Sequence, residues 1–369
     1  MNRMKLGEIL SVKHGWAFKG EYFAEDGEQS ILTPGNFFEK GGFKPNNGKE
    51  RYYTGTYPKE YLCHKGDLIV AMTQQAEGLL GSTALVPENN KYLHNQRIGL
   101  ITCDAKRLNK LFAYYLFMTK SVREQLERSS SGTKVKHTSP EKIYDVEVEI
   151  PDVISQQKIA NLLWSIDEKI ANNNAINDNL EQQMHLIFEN MMAKAATHKL
   201  SGEYTIAQNL ATVVTGKEDA NFSVPNGKYK FFTCSNMPLL CDEYVFDSSS
   251  ILVAGNGDFN IKHYSGKFNA YQRTYVLTPE KKYFGLLYLA SLYRINSFKS
   301  RSSGSIVKFI TKSDVENIPV FIPNDMFYLQ ELNKLIYLQE QNKLENELLV
   351  KLRDWLLPML MNGQATISD

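Results

Sequence analysis

One internal repeat limits what this 369-residue chain can fold into more than any other feature. Residues 130–151 (SSGTKVKHTSPEKIYDVEVEIP) align without a gap to residues 302–323 (SSGSIVKFITKSDVENIPVFIP), at a constant offset of 172. Eight of the 22 positions are identical, and pairs such as Thr133/Ser305 and Ile143/Val315 hold the register. Weaker echoes lie upstream: Leu68–Ala71 answers Ile251–Ala254, Gln96-Arg97 answers Gln272-Arg273, and Leu6–Ile9 answers Leu210–Val213. Their offsets differ, so each copy carries insertions that the other lacks. The pattern implies one duplicated unit and not a many-copy solenoid. At roughly 100–200 residues per domain, the length accommodates both copies.

Each copy ends in a helix. After Pro151 a 4-3 spacing runs through Ile159, Leu163, Ile166, Ile170, Asn173, Asn177, Leu180, Met184, Ile187 and Met191. Such a seam, held for about five heptads, belongs to helices that pair. No Pro or Gly interrupts residues 156–195, and forty helical residues would extend about 60 Å. A second helix is predicted over 327–361. It is apolar at Leu329, Leu332, Leu335 and Ile336, polar from Gln339 to Lys343, and apolar again at Leu344, Leu348, Leu352, Trp355 and Leu356. Pro358 should kink or end it, and Asn362-Gly363 is a stop signal. Asn172, Asn173, Asn174 and Asn177 sit mid-seam in the first helix; Gln339, Gln341 and Asn342 sit near the middle of the second. Polar seam residues weaken a coiled coil while fixing its register. In an antiparallel pair the two polar centres would meet; the spacing also allows both to face solvent.

The segments before each helix are mixed. β-rich runs at 67–72, 99–102, 250–254 and 273–277 alternate with turn clusters such as Asn46-Asn47-Gly48, Asn226-Gly227 and Gly255-Asn256-Gly257. One helical stretch is predicted late in each copy, near 107–128 and 283–300. The expected class is α+β: two repeat-related domains, 1–150 and 199–323, each followed by a long helix, 151–198 and 324–369, with the helices forming an antiparallel coiled coil.

Charge supports a partner only when it is localised. The total, 42 Lys and Arg against 41 Asp and Glu, gives +1 and argues against a polybasic protein. Taken in chain order, the four segments carry +3, −3, +4 and −3. Residues 281–313 hold Lys281, Lys282, Arg294, Lys299, Arg301, Lys308 and Lys312 with no acidic residue. The first copy has Lys120, Arg123, Arg128, Lys134, Lys136 and His137 against Glu124 and Glu127. Basic groups around a Ser/Gly-rich loop suit phosphate contacts. A solvated helix face explains one such field; two point to nucleic acid. Met1-Asn2-Arg3-Met4-Lys5 leads into no signal-peptide core, and no run reaches the ~18 apolar residues of a membrane helix. Cys63, Cys103, Cys234 and Cys241 are scattered and read as reduced, buried thiols. The expectation is a cytoplasmic protein that does not engage a membrane.

The arrangement resembles the specificity subunit of type I restriction-modification systems, over essentially the whole chain. The passage Ser130-Ser131-Gly132-Thr133, then Ile150-Pro151, then Gln156-Gln157-Lys158-Ile159-Ala160, Leu163 and Ile166-Asp167-Glu168-Lys169-Ile170 is similar to the family's junction between recognition domain and helix. Leu357-Pro358-Met359-Leu360-Met361-Asn362-Gly363 resembles its C-terminal pattern. One departure stands out: Pro323 is followed by Asn324-Asp325-Met326-Phe327-Tyr328-Leu329-Gln330, without the Gln-Gln-Lys-Ile form. The resemblance implies two target-recognition domains that each read half of a bipartite double-stranded DNA target, with the helices as spacer. It also implies two methyltransferase subunits that bind S-adenosylmethionine, and restriction subunits with ATP- and Mg²⁺-dependent activity that can join them. No cofactor is then expected on this chain.

Bases are best distinguished by bidentate Arg–guanine and Gln/Asn–adenine pairs in the major groove. Residues of those types at repeat-related positions or in polar loops after predicted strands are Gln74, Gln75, Gln96, Arg97, Asn256, Lys262, His263, Gln272 and Arg273. The loops 132–136 and 304–308 add Thr133, Lys134, Lys136, Ser305 and Lys308, with Arg301 beside them. Each could equally be an ordinary surface side chain, and the loops could be structural turns. Enzyme signatures are missing. No Pro is followed by Pro, as an adenine methyltransferase motif requires, and GxxxxGK[ST], HExxH and GxSxG are absent. The nuclease-like set Asp258 with Glu280-Lys281-Lys282 is a low-complexity match. A coiled-coil adaptor carrying two domains that do not bind DNA is the rival reading.

Overall fold

The computed structural model describes residues 1–369 except Asn47, Gln75, Thr133, Lys134, Asp258, 302–308, Ser368 and Asp369, with the side chains of 296–301 also outside the description. Two compact units form, the first from Met1–Lys169 with Leu348–Asp369 and the second from Ile170–Glu347.

The first unit contains β1 (Asn2–Lys5), β2 (Leu10–His14), β3 (Phe23–Ala24), β4 (Ser30–Ile31), β5 (Tyr52–Tyr53), β6 (Leu68–Ala71), β7 (Thr83–Leu85), β8 (Tyr92–Leu93) and β9 (Ile98–Cys103). Then come α1 (Lys110–Leu116), α2 (Lys120–Ser129), α3 (Pro140–Tyr144), β10 (Glu147–Ile150) and the start of α4 (Val153–Ala196). An antiparallel sheet runs β2-β9-β6-β7, a smaller one runs β3-β5-β4-β8, and β1 pairs antiparallel with β10. Strand β6 is apolar throughout because both faces are buried. Successive side chains point to opposite faces, so Leu68 and Val70 join Phe112 and Leu163 in one core while Ile69 and Ala71 join Leu32 and Phe37 in another. The helical stretch predicted near 107–128 is two helices. Asn109 caps the first by accepting from the Phe112 N–H, and Thr119, extended at φ −66° and ψ 145°, separates them.

The second unit contains β11 (Gly202–Ile206), β12 (Ala211–Thr215), β13 (Tyr229–Phe232), β14 (Leu239–Cys241), β15 (Phe246–Ala254), β16 (Ile261–Ala270), β17 (Thr274–Pro279), α5 (Phe284–Arg301), α6 (Lys312–Glu316), β18 (Pro319–Pro323) and most of α7 (Met326–Met361). One six-stranded sheet runs β12-β17-β15-β16-β13-β14, and β11 pairs with β18. Its first four strands repeat the order β2-β9-β6-β7. Strand β15 divides its side chains as β6 does: Ile251 and Val253 face the core with Leu287, and Leu252 faces Phe268 and Val276. Individual bonds recur too. Leu6 N–H donates to Val146 O at 2.9 Å and Ala207 N–H to Ile318 O at 2.9 Å. Helices α3 and α6 stand at the offset of 172 read from the sequence.

The predicted seam of α4 is its buried face. Ile159, Leu163 and Ile166 are buried in the first unit; Asn173, Asn177, Leu180, Met184 and Met191 are buried in the second. In each unit the segments of α4 and α7 run antiparallel. Arg353 donates to Asp167 at 2.7 Å in the first. In the second, Asn173 donates to Glu345 and Asn346, Asn342 donates to Asn177 at 2.9 Å, and Gln339 donates to Glu181 at 2.9 Å. The polar centres therefore meet; solvent-facing positions such as Asn172 and Gln341 flank them.

The second helix ends where the sequence placed it: Pro358 lies inside its last turns and α7 runs to Met361, with Leu360 and Met361 buried in the first unit's core. The compact units divide within the long helices, after Lys169 and after Glu347. The helix faces belong to the cores they cover: Ile159, Ala160 and Leu163 pack with Val148, while Met184, Phe188 and Leu332 pack with Leu287.

Candidate nucleic-acid interface

The first unit holds a groove of about 480 Å³ beside its small sheet. Thr33, Asn46, Lys49, Arg51, Asn95, Gln96 and Arg97 supply its polar lining, with Phe18, Phe23, Ile31 and Pro34 as apolar wall. No acidic residue lines it, and Lys49, Arg51 and Arg97 are exposed with no ion-pair partner among the described residues. The scaffold beneath is ordered by ordinary chain physics. Thr33 and Asn36 form a capping box around Pro34, and the Ile31 N–H donates to Arg51 O at 2.8 Å, which ties the cationic segment to β4. Three uncompensated cations beside amide side chains make a site for a polyanion, since no acidic residue lining the groove competes with phosphate for them.

Gln96 and Arg97 occupy a tight turn into β9. Gln96 N–H donates to Trp16 O at 3.2 Å, Ile98 N–H to Asn95 O at 3.0 Å, and Met72 N–H to Arg97 O at 3.0 Å. Gln272 and Arg273 occupy the same turn into β17, and both are exposed. Gln272 N–H donates to Glu218 O at 2.9 Å, Thr274 N–H to Tyr271 O at 2.8 Å, and Gly255 N–H to Arg273 O at 2.8 Å. The Gln272 side chain additionally donates to Asp219 at 2.8 Å.

The remaining sequence candidates scatter. Gln74 lies in a separate cleft of about 560 Å³ that mixes Lys40, Lys120, Arg123 and Arg353 with Glu39, Glu77, Glu127 and Asp354; that balance suits a polyanion poorly. Lys136 is half-buried and ion-paired with Glu127. Asn256 is half-buried in the loop after β15. Lys262 donates to Ser235 O and Asn260, and burial holds its ammonium below the usual lysine range. His263 departs furthest from expectation: its side chain is 3% exposed, with Nδ1 3.1 Å from Glu340 and Nε2 3.4 Å from Lys343. It points to α7 and away from solvent because β16 alternates its faces. Gln75, Thr133, Lys134, Ser305 and Lys308 lie outside the described residues, as does the Arg301 side chain.

Around the Ser/Gly-rich loop of the first unit, the basic field is internally compensated. Lys120 and Arg128 both pair with Glu124, at 3.6 and 2.9 Å. Arg123 donates to the carbonyl oxygens of Phe117, Gly78, Leu80 and Glu39, and burial pulls its pKa down to about 10. In the second unit Lys282 pairs with Glu280 at 3.3 Å and Lys312 with Glu316 at 3.2 Å, acids just outside the acid-free stretch. The same pair accounts for Glu280 of the nuclease-like set, whose Asp258 lies outside the described residues. The residues on either side of the loop are pinned by backbone bonds. Ser131 and His137 exchange backbone bonds, and Thr138 N–H donates to Met72 O at 2.9 Å, as Ile310 N–H does to Gly255 O at 2.9 Å. Sequence reasoning missed Lys49 and Arg51. Their signal was the turn Asn46-Asn47-Gly48 just before them, which has a counterpart in Asn226-Gly227 of the second copy.

No cluster of three metal-ligating side chains occurs among the described residues. No helix among them is long and apolar enough to cross a membrane. All four cysteines are free, with burial pushing Cys63 up to about 12 and Cys103 up to about 11.

Comparison with known proteins places these features. The specificity subunit of the type I restriction enzyme EcoDI of Escherichia coli is 37% identical over 164 residues, which is 42% of this chain and 37% of that protein. The chain thus spans well under half the length of that relative. The MjaIX specificity subunit of Methanocaldococcus jannaschii is 23% identical over 306 residues, 70% of this chain and 69% of that protein. Among solved structures, the S subunit of a type I restriction-modification system from M. genitalium shares the fold, with TM-score 0.63 and 18% identity over 100% of this chain and 96% of that one. A family model described as the type I restriction modification DNA specificity domain matches residues 1–182 and again 210–352, one match per copy of the repeat. On that coverage the chain belongs to the type I restriction-modification DNA specificity domain family.

Proposed function

We propose that this chain is the DNA-reading subunit of a type I restriction-modification complex in the cytoplasm and carries out no chemistry itself. Each unit reads one half of a bipartite duplex target, and the paired helices set the spacing between halves. Two methyltransferase subunits dock on the helices and bring S-adenosylmethionine; restriction subunits using ATP and Mg²⁺ can join them. The observation that carries the reading is that a DNA specificity domain matches both copies of the repeat. The cationic groove adds a surface suited to phosphate. On α7, Leu348, Leu352 and Trp355 are exposed at helical spacing, 59%, 43% and 59%; an apolar stripe of that kind favours burial on a partner helix.

Retention on duplex DNA, measured across a salt series with a co-expressed methyltransferase subunit, tests the proposal. Binding that weakens steeply with salt is expected; no retention at low salt defeats the reading. The spacer role has its own test. Seven residues inserted near Asn173–Asn177, matched by seven near Gln339–Asn342, add about 10 Å to the helices. Methylome sequencing should then show a spacer longer by about three base pairs with both half-sites unchanged.

A further inference from the structure

The Gln-Arg turn recurs with its backbone bonds intact while its surroundings change. His94 and Asn95 precede it in the first unit, Ala270 and Tyr271 in the second; Ile98 and Gly99 follow it in one, Thr274 and Tyr275 in the other. Of these side chains, His94, Ile98, Ala270 and Thr274 are buried, whereas Gln96, Arg97, Gln272 and Arg273 are exposed. Packing would be expected to keep the buried neighbours alike and leave the exposed tip free to vary. The reverse is found. The identity of the tip therefore serves something outside the protein.

The turn is also built as a rigid mount. The donor of its Gln, the acceptor of its Arg and the bond that closes it are all satisfied within the fold, in both copies. Gly15 lies so close to the chain before the turn that a Cβ there would sit 2.1 Å from Asn95 O; at Gly216 it would sit 2.1 Å from Ala270 O. The Gln and Arg side chains project, Gln272 with one amide N–H given to Asp219, and neither Arg97 nor Arg273 has an ion-pair partner among the described residues.

What two copies share should serve what their ligands share. The halves of a bipartite target differ in bases but have the same sugar–phosphate backbone. We infer that the Gln96-Arg97 and Gln272-Arg273 turns are matched phosphodiester anchors, one per unit, which set each unit's register on DNA without reading its sequence. Each guanidinium donates two N–H groups to phosphate oxygens, with the Gln amide beside it on the same strand. Sequence reading then falls to groups the copies do not share. In the first unit these include Asn46 and Arg51, in the same groove as Arg97. The inference rests on the DNA-reading function proposed above.

The test uses the full-length chain with the co-expressed methyltransferase subunit, wild type and variants alike, and a duplex pool carrying a randomised segment. Arg97→Ala and Arg273→Ala should each weaken binding roughly tenfold to every sequence. Each should also reduce the slope of log K against log salt by about 0.9, with the selected motif unchanged. Arg97→Lys should keep the slope, because a point charge satisfies phosphate where it would not satisfy a bidentate base contact. Arg51→Ala should instead relax positions in one half-site. If Arg97→Ala or Arg273→Ala relaxes a base position, the turn is a base reader and the inference fails. It fails equally if affinity and slope stay unchanged. Thermal unfolding of each variant at the wild-type midpoint ensures that a loss of binding is not a loss of fold. A wild-type chain without salt-dependent retention would instead overturn the DNA-reading function itself.

Discussion

The two units are the same machine with different additions. Their four-stranded frames have one strand order, the same pairing of first and last strands, and the same bonds from the post-strand loops. The first unit's addition folds into a separate small sheet that walls a cationic groove. The second unit's addition extends the main sheet by β13 and β14. Attachment to the long helices differs as well. In the first unit it centres on Asp167, which accepts from Arg353 and from the buried Tyr115 hydroxyl at 2.6 Å. In the second, β16 and β13 carry His263, Ser265 and Lys230 to Glu340 and Glu347 of α7. The frame is thus common property, and what distinguishes the units lies in their insertions.

The largest way to break that comparison is Asp167→Ala. It leaves the Tyr115 hydroxyl without its acceptor and the Arg353 guanidinium with Asp354 alone, an expected loss of about 3 kcal/mol in the first unit. Hydrogen exchange should show the lost protection in amides of 1–169 and 348–367. Equal loss in the second unit would mean that the two attachments are not separate.

Acid sharpens the contrast. His94 is fully buried with Nε2 2.8 Å from Ile98 O, and burial lowers its pKa to about 4, whereas the corresponding residue of the second unit is Ala270. The unfolded histidine takes up a proton near pH 6.5 and the folded one does not, so stability is full above about pH 6.5 and falls as pH drops toward 4. The loss approaches about 3 kcal/mol over that window. Urea unfolding monitored by exchange at pH 7.5, 6 and 5 should show the first unit weakening, and His94→Leu should flatten the dependence.

A smaller effect is expected in the polar seam of the second unit. Asn173→Leu leaves Glu345 and Asn346 without that partner and should cost about 1–2 kcal/mol. Replacing Asn177 and Asn342 together by Leu should cost less than Asn177→Leu alone, because the donor is removed along with its acceptor. A chemical denaturation series on the full chain measures both. Smallest of all is Lys230→Ala, which removes an ion pair whose Glu347 side chain is 46% exposed. A change below about 1 kcal/mol is expected; a larger one would mean that this contact, and not the His263–Glu340 cluster, holds the sheet to α7.

Much of the fold was legible in the sequence, for identifiable reasons. The offset of 172 carried α3 onto α6 and β10 onto β18, since a gapless repeat preserves local geometry. The 4-3 spacing named the buried face of α4, including Asn173 and Asn177. The candidate interface was less legible. Composition marked 281–313 and 120–137 as basic, but an ion pair forms between groups near in space, and Glu124, Glu127, Glu280 and Glu316 neutralise much of those fields. His263 stood in a polar run, yet the pleat of β16 turned it inward.

By itself, the sequence determined the duplication, the two helices with matching polar centres, and the Gln-Arg pair common to both copies. These are local or periodic signals, and a chain records them wherever it folds. Only the tertiary structure decided which cations remain uncompensated. Lys49, Arg51 and Arg97 are separated along the chain and meet only when β3-β5-β4-β8 folds beside the turn into β9. Net charge is a property of composition, but an electrostatic site is a property of distance, and distance is set by packing.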